Sequence, residues 1–360
     1  MVNQDLSLEE VVAAIVPIDR GWIEKAQART AELVMPTRAL GRLHDLAERL
    51  CCIQKSLVPA INSKAVLVMA GDHGIVADGV SAYPQEVTGA MVRTFLAGGA
   101  AINVVTRQIG AEVWVVDLGI IPDLDPSVME GGNRFMVRKI ASGTDNFLKG
   151  SAMSREAALQ AVMTGFEIAS ELFKQGVEIL GTGDMGIGNT SPSAAIGTVM
   201  TGCSLNEMVG RGTGVDDPGL SHKREVIRQA LEKNRPDPGD ALDVLAKVGG
   251  FEIGGIAGCI LAGAYHHRPV VIDGFISTAG ALIAQALNPN VLDYLFAGHR
   301  SEENGHRAML EYLGLEPILD LGMRLGEGTG GAMAMQILET AVRVFTDVMT
   351  FSEAEVPDKE

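Results

Sequence analysis

Ala65-Val66-Leu67-Val68-Met69-Ala70, followed at once by Gly71-Asp72-His73-Gly74, marks a change in the grammar of the chain. Six apolar residues without a polar interruption suit a strand covered on both faces, the environment of a parallel sheet. Five further runs have the same character: 113–118 before Gly119, 135–140, 177–180 before Gly181, 269–272 before Asp273-Gly274, and 294–297 before Gly298-His299. Stretches of helical period lie between most of them, at 84–96, 100–108, 154–174, 191–201, 219–233 and 252–264. The alternation predicts an α/β fold with an open, mostly parallel six-stranded sheet and helices on both faces. In such sheets ligands lie beyond the carboxyl ends of the strands, which is where the Gly and Asp clusters fall.

Before this region the first sixty residues read as helices. Ser7, with Glu10 three residues on, is a capping-box start. Thr37, after Pro36, opens an amphipathic run through Leu40, Leu43, Leu46 and Leu50. At the other end a Gly-rich turn after Arg324 leads into a long helix carrying Met333, Ile337, Ala341 and Phe345. That helix is expected to return to the N-terminal ones, and the acidic tail, 353–360, to fray.

The composition narrows the function. The formal charge is −16, so the chain lacks the basic face that non-specific nucleic-acid or anionic-membrane binding needs. Aromatic residues make up 4%, too few for base-stacking platforms. The 47% hydrophobic and 21% charged content excludes a disordered chain. Cys51, Cys52, Cys203 and Cys259 form no C-x-x-C pair, the pattern of a reduced, cytoplasmic protein. No signal peptide is evident, and no apolar run reaches membrane-spanning length before Gly, His or a charge interrupts it. An anionic substrate on so acidic a chain has to be held by local devices such as backbone N–H groups.

Gly181-Thr182-Gly183-Asp184-Met185-Gly186 matches G-x-G-x-x-G, read here as following a strand. A dinucleotide site also needs a strand ending in an acid about 20 residues on. Glu207 has the distance, but Ser204-Leu205-Asn206-Glu207 reads as a helix start. The loop retains a simpler use. Ser191 as cap and Pro192 at the first helical position start a helix, and Gly186 and Gly188 let backbone N–H groups reach a phosphate beside it. The alternative is a tight turn without a ligand. Glu327 sits in Gly326-Glu327-Gly328-Thr329-Gly330-Gly331. It is either a first-turn acid complementing its helix dipole or a base presented on a bare backbone, and the glycines favour the base.

Asp72, His73 and Asp78 invite a metal site, but neighbours on an extended segment point to opposite faces. His266 and His267 are adjacent too, while His299 and His306 stand seven apart without an acid at recognisable spacing. No metal and no cofactor is therefore expected, and no nucleophile elbow or reactive cysteine appears.

Six ordered motifs carry a family resemblance: Ala70 to Gly74, Tyr83 to Thr88, Gly183 to Thr190, Val248 to Glu252, Ile272 to Phe275 and Met323 to Gly330. Over about residues 35–350 the chain resembles the nicotinate mononucleotide:5,6-dimethylbenzimidazole phosphoribosyltransferases, which supply the lower ligand of cobalamin. The resemblance implies a Rossmann-like sheet, a small helical domain built from both chain ends, and a homodimer. Residues 1–60 and the C-terminal region would form the helical domain, 61–325 the phosphoribosyltransferase domain, and 326–360 the Gly-rich loop, last helix and tail.

Carried over by position, the catalytic base matches Glu327 and a second carboxylate matches Asp184, where better-known members have Glu. Lys223, in Leu220-Ser221-His222-Lys223, matches the family lysine; by itself it reads equally as a solvated helix lysine. Backbone N–H groups of Gly186, Ile187, Gly188, Asn189 and Thr190 suit the 5′-phosphate, and Asp184 and Asp273, at strand ends, are candidates for the ribose hydroxyls. Tyr83, Pro84, Met91, Met185 and Leu325 fall to the base pocket, with Met91 where some members have glutamine. The implied substrates are the small molecules nicotinate mononucleotide and 5,6-dimethylbenzimidazole, joined with inversion at C1′ and with Glu327 as general base. A metal-dependent phosphohydrolase centred on Asp72 and His73, and a nucleotide-binding protein without turnover, are the competing expectations.

Overall fold

Each of the six apolar runs becomes a strand in the computed structural model, which describes residues 6–124 and 134–357. They are β1 (Lys64–Gly71), β2 (Ala111–Gly119), β3 (Arg134–Val137), β4 (Ile179–Met185), β5 (Val270–Ile272) and β6 (Leu295–Ala297). Every residue of β1 is buried, as a strand covered on both faces requires. All pairings are parallel, in the order β3-β2-β1-β4-β5-β6. Growth of the sheet reverses between β1 and β4, and at such a switch point the two flanking loops part to leave a crevice. There Met69 of β1 is level with Asp184 of β4.

Helices α1 (Leu8–Ala14), α2 (Gly21–Glu32) and α3 (Arg42–Gln54) precede β1, and α4 (Val87–Leu96) and α5 (Ala101–Ile109) lead to β2. Helix α6 (Arg155–Lys174) enters β4. Between β4 and β5 lie α7 (Thr190–Thr201), α8 (Leu205–Met208), α9 (Asp217–Asn234), α10 (Ala241–Val248) and α11 (Phe251–Tyr265). Helix α12 (Phe275–Leu287) joins β5 to β6, and α13 (His306–Leu313) and α14 (Thr329–Asp347) follow. The apolar stretch Val87–Ile109 is 23 residues long, but it is two helices, α4 and α5, rather than one span.

The chain ends meet. Leu33 bridges Thr350, Val34 N–H donates to Met349 O, Phe351 N–H donates to Glu32 O, and α14 packs on α3 and α5. The capping box forms as read: Ser7 N–H donates to Glu10 Oε2 at 2.8 Å and Glu10 N–H to Ser7 Oγ at 3.3 Å. The tail is better held than expected, since Glu353 Oε2 accepts from both Thr350 N–H and its hydroxyl. Residues 358–360 of that tail lie outside the described residues.

Several expectations need correction. Strand β4 runs on through Gly181-Thr182-Gly183-Asp184, so these residues form the strand itself and the G-x-G-x-x-G reading loses its loop. Helix α7 begins at Thr190 with Asn189 in the cap position, which leaves Ser191 and Pro192 inside it and buried. The run after Thr37 becomes helical only from Arg42. Strand β3 ends at Val137, short of Ile140. Helix α12 carries no helical period in its sequence because it is buried on all sides from Phe275 to Ala284, the mark of a helix enclosed by protein.

Candidate active site

Helix α14 starts behind Gly326-Glu327-Gly328, whose φ angles are 86°, 66° and 91°. The left-handed region costs glycine little but a Cβ-bearing residue about 1–2 kcal/mol, so the surroundings impose the Glu327 conformation. Two contacts do this. The loop crosses β4 at Gly183, where a Cβ would lie 2.6 Å from the Glu327 carbonyl carbon and 2.7 Å from the Gly328 nitrogen. Asp273, just past β5, accepts from Gly328 N–H at 3.0 Å and from Gly331 N–H at 2.9 Å. Glu327 is thus no first-turn acid of its own helix. Its carboxylate, 6% exposed, accepts from Ile102 N–H in the first turn of α5 at 3.4 Å. Burial raises its proton affinity above the ordinary glutamate range; the Ile102 N–H opposes this and the Asp273 charge adds to it.

Asp184, at the end of β4, is buried and accepts from Asn189 Nδ2 at 2.9 Å. Burial pushes its pKa up to about 8, helped by the charges of Asp273, Glu252 and Glu327 against the Asn189 hydrogen bond. Asp273 is raised too, first by burial, while His299 and the amides of Gly331, Gly328 and Gly330 draw it back. With both oxygens on backbone N–H groups, Asp273 stands behind the Glu327 loop rather than open to a sugar.

Lys223, from α9, is no solvated lysine: it is 1% exposed and donates to Thr190 Oγ1 at 2.6 Å. Burial pushes its pKa down to about 8, with Glu303 opposing. The loop from Gly186 to Thr190 is already partly satisfied from within. Ile187 N–H donates to Thr88 Oγ1 at 3.1 Å and Asn189 N–H to Gly186 O at 3.1 Å. The lysine ammonium and the threonine hydroxyl pack against Gly212, where a Cβ would lie 3.1 Å and 2.7 Å from them.

A cavity of about 240 Å³ is lined by Tyr83, Asp184, Asn189, Thr190, Leu325 and Gly326 among others, so it reaches the residue before Glu327 and the threonine that Lys223 bonds, while Glu327, Asp273 and Lys223 themselves lie behind its wall. Tyr83 and Leu325 are more than half exposed at its rim. Pro84 is exposed nearby in sequence, while Met91 and Met185 are half-buried against the core and do not line this cavity. Met91 lies one turn beyond Thr88 on α4, on the face turned to the Ile187 loop. The sequence reading missed His299, Glu303 and Arg324 as cavity residues. For His299 a signal existed, since it follows a strand end as Asp273 does.

Asp72 and His73 diverge as their adjacency predicts. Asp72 Oδ2 accepts from Ile121 N–H at 2.7 Å, whereas His73 Nε2 faces Glu252 Oε1 at 2.9 Å. Asp78 accepts from Asn146 Nδ2, and its carbonyl meets the His222 ring. His267 meets the Tyr294 hydroxyl at 3.0 Å, and His266 packs beside Phe166 and Tyr265. Among the described residues no group of three or more His, Cys, Asp or Glu gathers as metal ligands would.

A family model described as phosphoribosyltransferase matches residues 15–356. The nicotinate-nucleotide–dimethylbenzimidazole phosphoribosyltransferase of Geotalea uraniireducens (strain Rf4) is 51% identical over 353 residues, covering 98% of this chain and 99% of that protein. The protein of the same name from Geobacter sp. (strain M21) is 52% identical over 349 residues, covering 97% and 99%. The crystal structure of CobT from Thermus thermophilus superposes with a TM-score of 0.89 at 44% identity, covering 94% of this chain and all of that one. On the fold, the crevice and these relatives together, the chain belongs to the nicotinate-nucleotide–dimethylbenzimidazole phosphoribosyltransferase family.

Proposed function

We propose that the protein transfers the phosphoribosyl group of nicotinate mononucleotide to 5,6-dimethylbenzimidazole, giving nicotinate and α-ribazole 5′-phosphate for cobalamin nucleotide-loop assembly. The C1′–N bond to nicotinate breaks and its electron pair leaves with the pyridine nitrogen. The azole lone pair forms the new C1′–N bond from the opposite face, so the β-linkage becomes α. The attacking base becomes cationic and loses its N–H proton to Glu327. Positive charge develops at C1′ as the old bond lengthens, and the acidic crevice favours it.

The observation that carries this reading is the assembly of complementary groups at one switch point. Lys223 with the Thr190 hydroxyl suits the 5′-phosphate. Glu327 is a buried carboxylate on a strained loop, its proton affinity raised, as a base working near neutral pH requires. Asp184 lies beside Gly326 between them, suited to the ribose side of the reacting centre. Asp273, a ribose candidate by its place at a strand end, holds the loop in this reading. Tyr83 and Leu325 at the cavity rim, with Pro84 beside Tyr83, would cover the azole, while Met91 and Met185 back the neighbouring core. A cytoplasmic homodimer acting on two small molecules completes the proposal; light scattering tests the assembly.

The test is a chromatographic assay with both substrates, beside Glu327→Gln. Azole-dependent nicotinate release with a new ribosylated product, largely lost in the variant, supports reaction and role. No product from the unaltered protein rejects the reaction. Full activity in Glu327→Gln rejects Glu327 as the base.

A further inference from the structure

Asp184, Glu252, Asp273 and Glu327 are among the carboxylates buried near the carboxyl ends of the strands. Two of them face a histidine, Glu252 at 2.9 Å from His73 Nε2 and Asp273 at 3.6 Å from His299 Nε2. The transfer as written uses neither histidine. His299 touches the Asp273 carboxylate and the first turn of α14.

The His299 ring is 1% exposed and lies across the first turn of α14. A Cβ at Gly330 would sit 2.5 Å from its Cγ and 2.9 Å from its Nε2, so the ring occupies the space that any other residue at 330 would need. The Asp273 oxygen it faces, Oδ1, is the one that accepts from Gly331 N–H, while Oδ2 accepts from Gly328 N–H. Ring, carboxylate and helix start therefore form one packed unit, with Glu327 next in the chain.

The frame around His299 is rigid. Gly298 N–H donates to Ile272 O at 2.8 Å and Arg300 N–H to Leu319 O at 2.8 Å. Ser301 N–H donates to His306 Nδ1 at 2.9 Å, so the His306 proton is on Nε2. That proton goes to Thr278 Oγ1, whose own hydroxyl donates to Gly274 O. Burial, with His299 nearby, pushes the His306 pKa down to about 3, which keeps this chain of bonds in one tautomer at neutral pH.

We propose that His299 is a positioning residue: its ring, wedged between Asp273 and Gly330, holds the start of α14 and thereby the loop that aims Glu327. The inference rests on Glu327 being the base. A loop held by packing on one side and by a shared carboxylate on the other sets reacting distances, and a misplacement of about 1 Å costs about 100-fold in rate.

The experiment compares His299→Ala, His299→Gln and Gly330→Ala in steady-state assays, with circular dichroism to confirm folding. The expected result is a fall of about 10- to 100-fold in kcat for His299→Ala, KM for both substrates staying within about twofold, and substantial recovery in His299→Gln. Gly330→Ala, which drives a methyl into the ring, reproduces the kcat loss and serves where His299→Ala does not fold. In a Glu327→Gln background His299→Ala adds little, because the aimed group is already gone. A raised KM for the nucleotide with kcat unchanged overturns the proposal and makes His299 a substrate contact. Unchanged kinetics in all three variants, or full additivity with Glu327→Gln, also overturns it. Full activity of Glu327→Gln alone is a separate outcome that removes the base assignment itself.

Discussion

The Glu327 carboxylate and the Ile102 N–H, 225 residues apart in sequence, meet at 3.4 Å. One helix carries the candidate base on its leading loop, and a second helix offers its unsatisfied N-terminal amide to that base. Two opposing effects act on the same group. Burial favours the protonated acid, and the amide and dipole of α5 favour the carboxylate. The outcome is a base with raised proton affinity, still held in a defined direction.

Glu327→Gly separates function from stability. A residue at φ 66° prefers to be glycine, so the variant is expected to be as stable as the parent or more so, by up to about 1 kcal/mol. Its turnover should fall by about 100- to 10,000-fold, the usual contribution of a general base. Thermal unfolding alongside kcat checks both; a large loss of stability would show that the carboxylate, not the backbone, holds the loop.

Raising the pH above about 8 should weaken use of the anionic nucleotide. Lys223, with its pKa near 8, loses its positive charge there, and Asp184, also near 8, gains a negative one. Both changes repel phosphate, so kcat/KM for the nucleotide declines on the alkaline side, a profile that reports the free enzyme. Lys223→Met should lower kcat/KM at pH 7 by about 10- to 100-fold, the worth of a charge-assisted hydrogen bond. A flat profile to about pH 9.5 would remove both groups from nucleotide binding.

Asp184→Asn should stabilise the protein progressively as pH rises. Folded Asp184 keeps its proton to about pH 8, whereas the unfolded chain releases it near pH 4. Between these values the folded state binds more protons, so the Asp184 contribution to stability falls as pH increases and is at its least favourable above pH 8. The variant lacks this slope. The difference between the two proteins should grow at no more than about 1.4 kcal/mol per pH unit in that window. Urea midpoints at pH 5, 7 and 9 measure it, and a constant difference would mean that Asp184 is ionised in the folded protein throughout.

Glu252 and His73 form the other buried pair, 2.9 Å apart with both side chains fully enclosed. Gly186, first residue of the loop after β4, packs directly on it: a Cβ there would lie 3.1 Å from His73 Nε2. Removing one member strands the other without a partner, so Glu252→Ala should cost about 3–5 kcal/mol. Replacing both by apolar residues should recover much of that. Equal losses in the single and double variants would show that packing alone matters at this position.

The strands were legible because each has a local signature. Val66 to Met69 in β1 are buried on both faces, and a buried strand writes that fact into consecutive residues. Helix α12 left no such trace, since a fully enclosed helix and a buried strand have the same apolar content. The full length of β4 is not legible in sequence because Gly181 and Gly183 are poor strand formers. The place of Gly181, Thr182 and Gly183 is set by pairing with Val66, Leu67 and Val68 on β1. Ser191 reads as a cap by residue type, yet the chain turns into α7 earlier, behind Asn189.

Residue order by itself determined the parallel α/β sheet, the crevice at its carboxyl ends and the motifs that mark the family. The sheet and its crevice follow from periodicity and turn chemistry within a few residues, and the motifs mark the family by resemblance alone. Tertiary structure alone decided that Lys223 is buried against Thr190 and that Asp273 serves backbone amides. It also decided that His299 lies across Gly330 and that Glu327 faces α5. Each of these pairs residues far apart in the chain. A side chain's charge state and direction are set by what surrounds it in space, and that is known only once the sheet has brought its strand ends together.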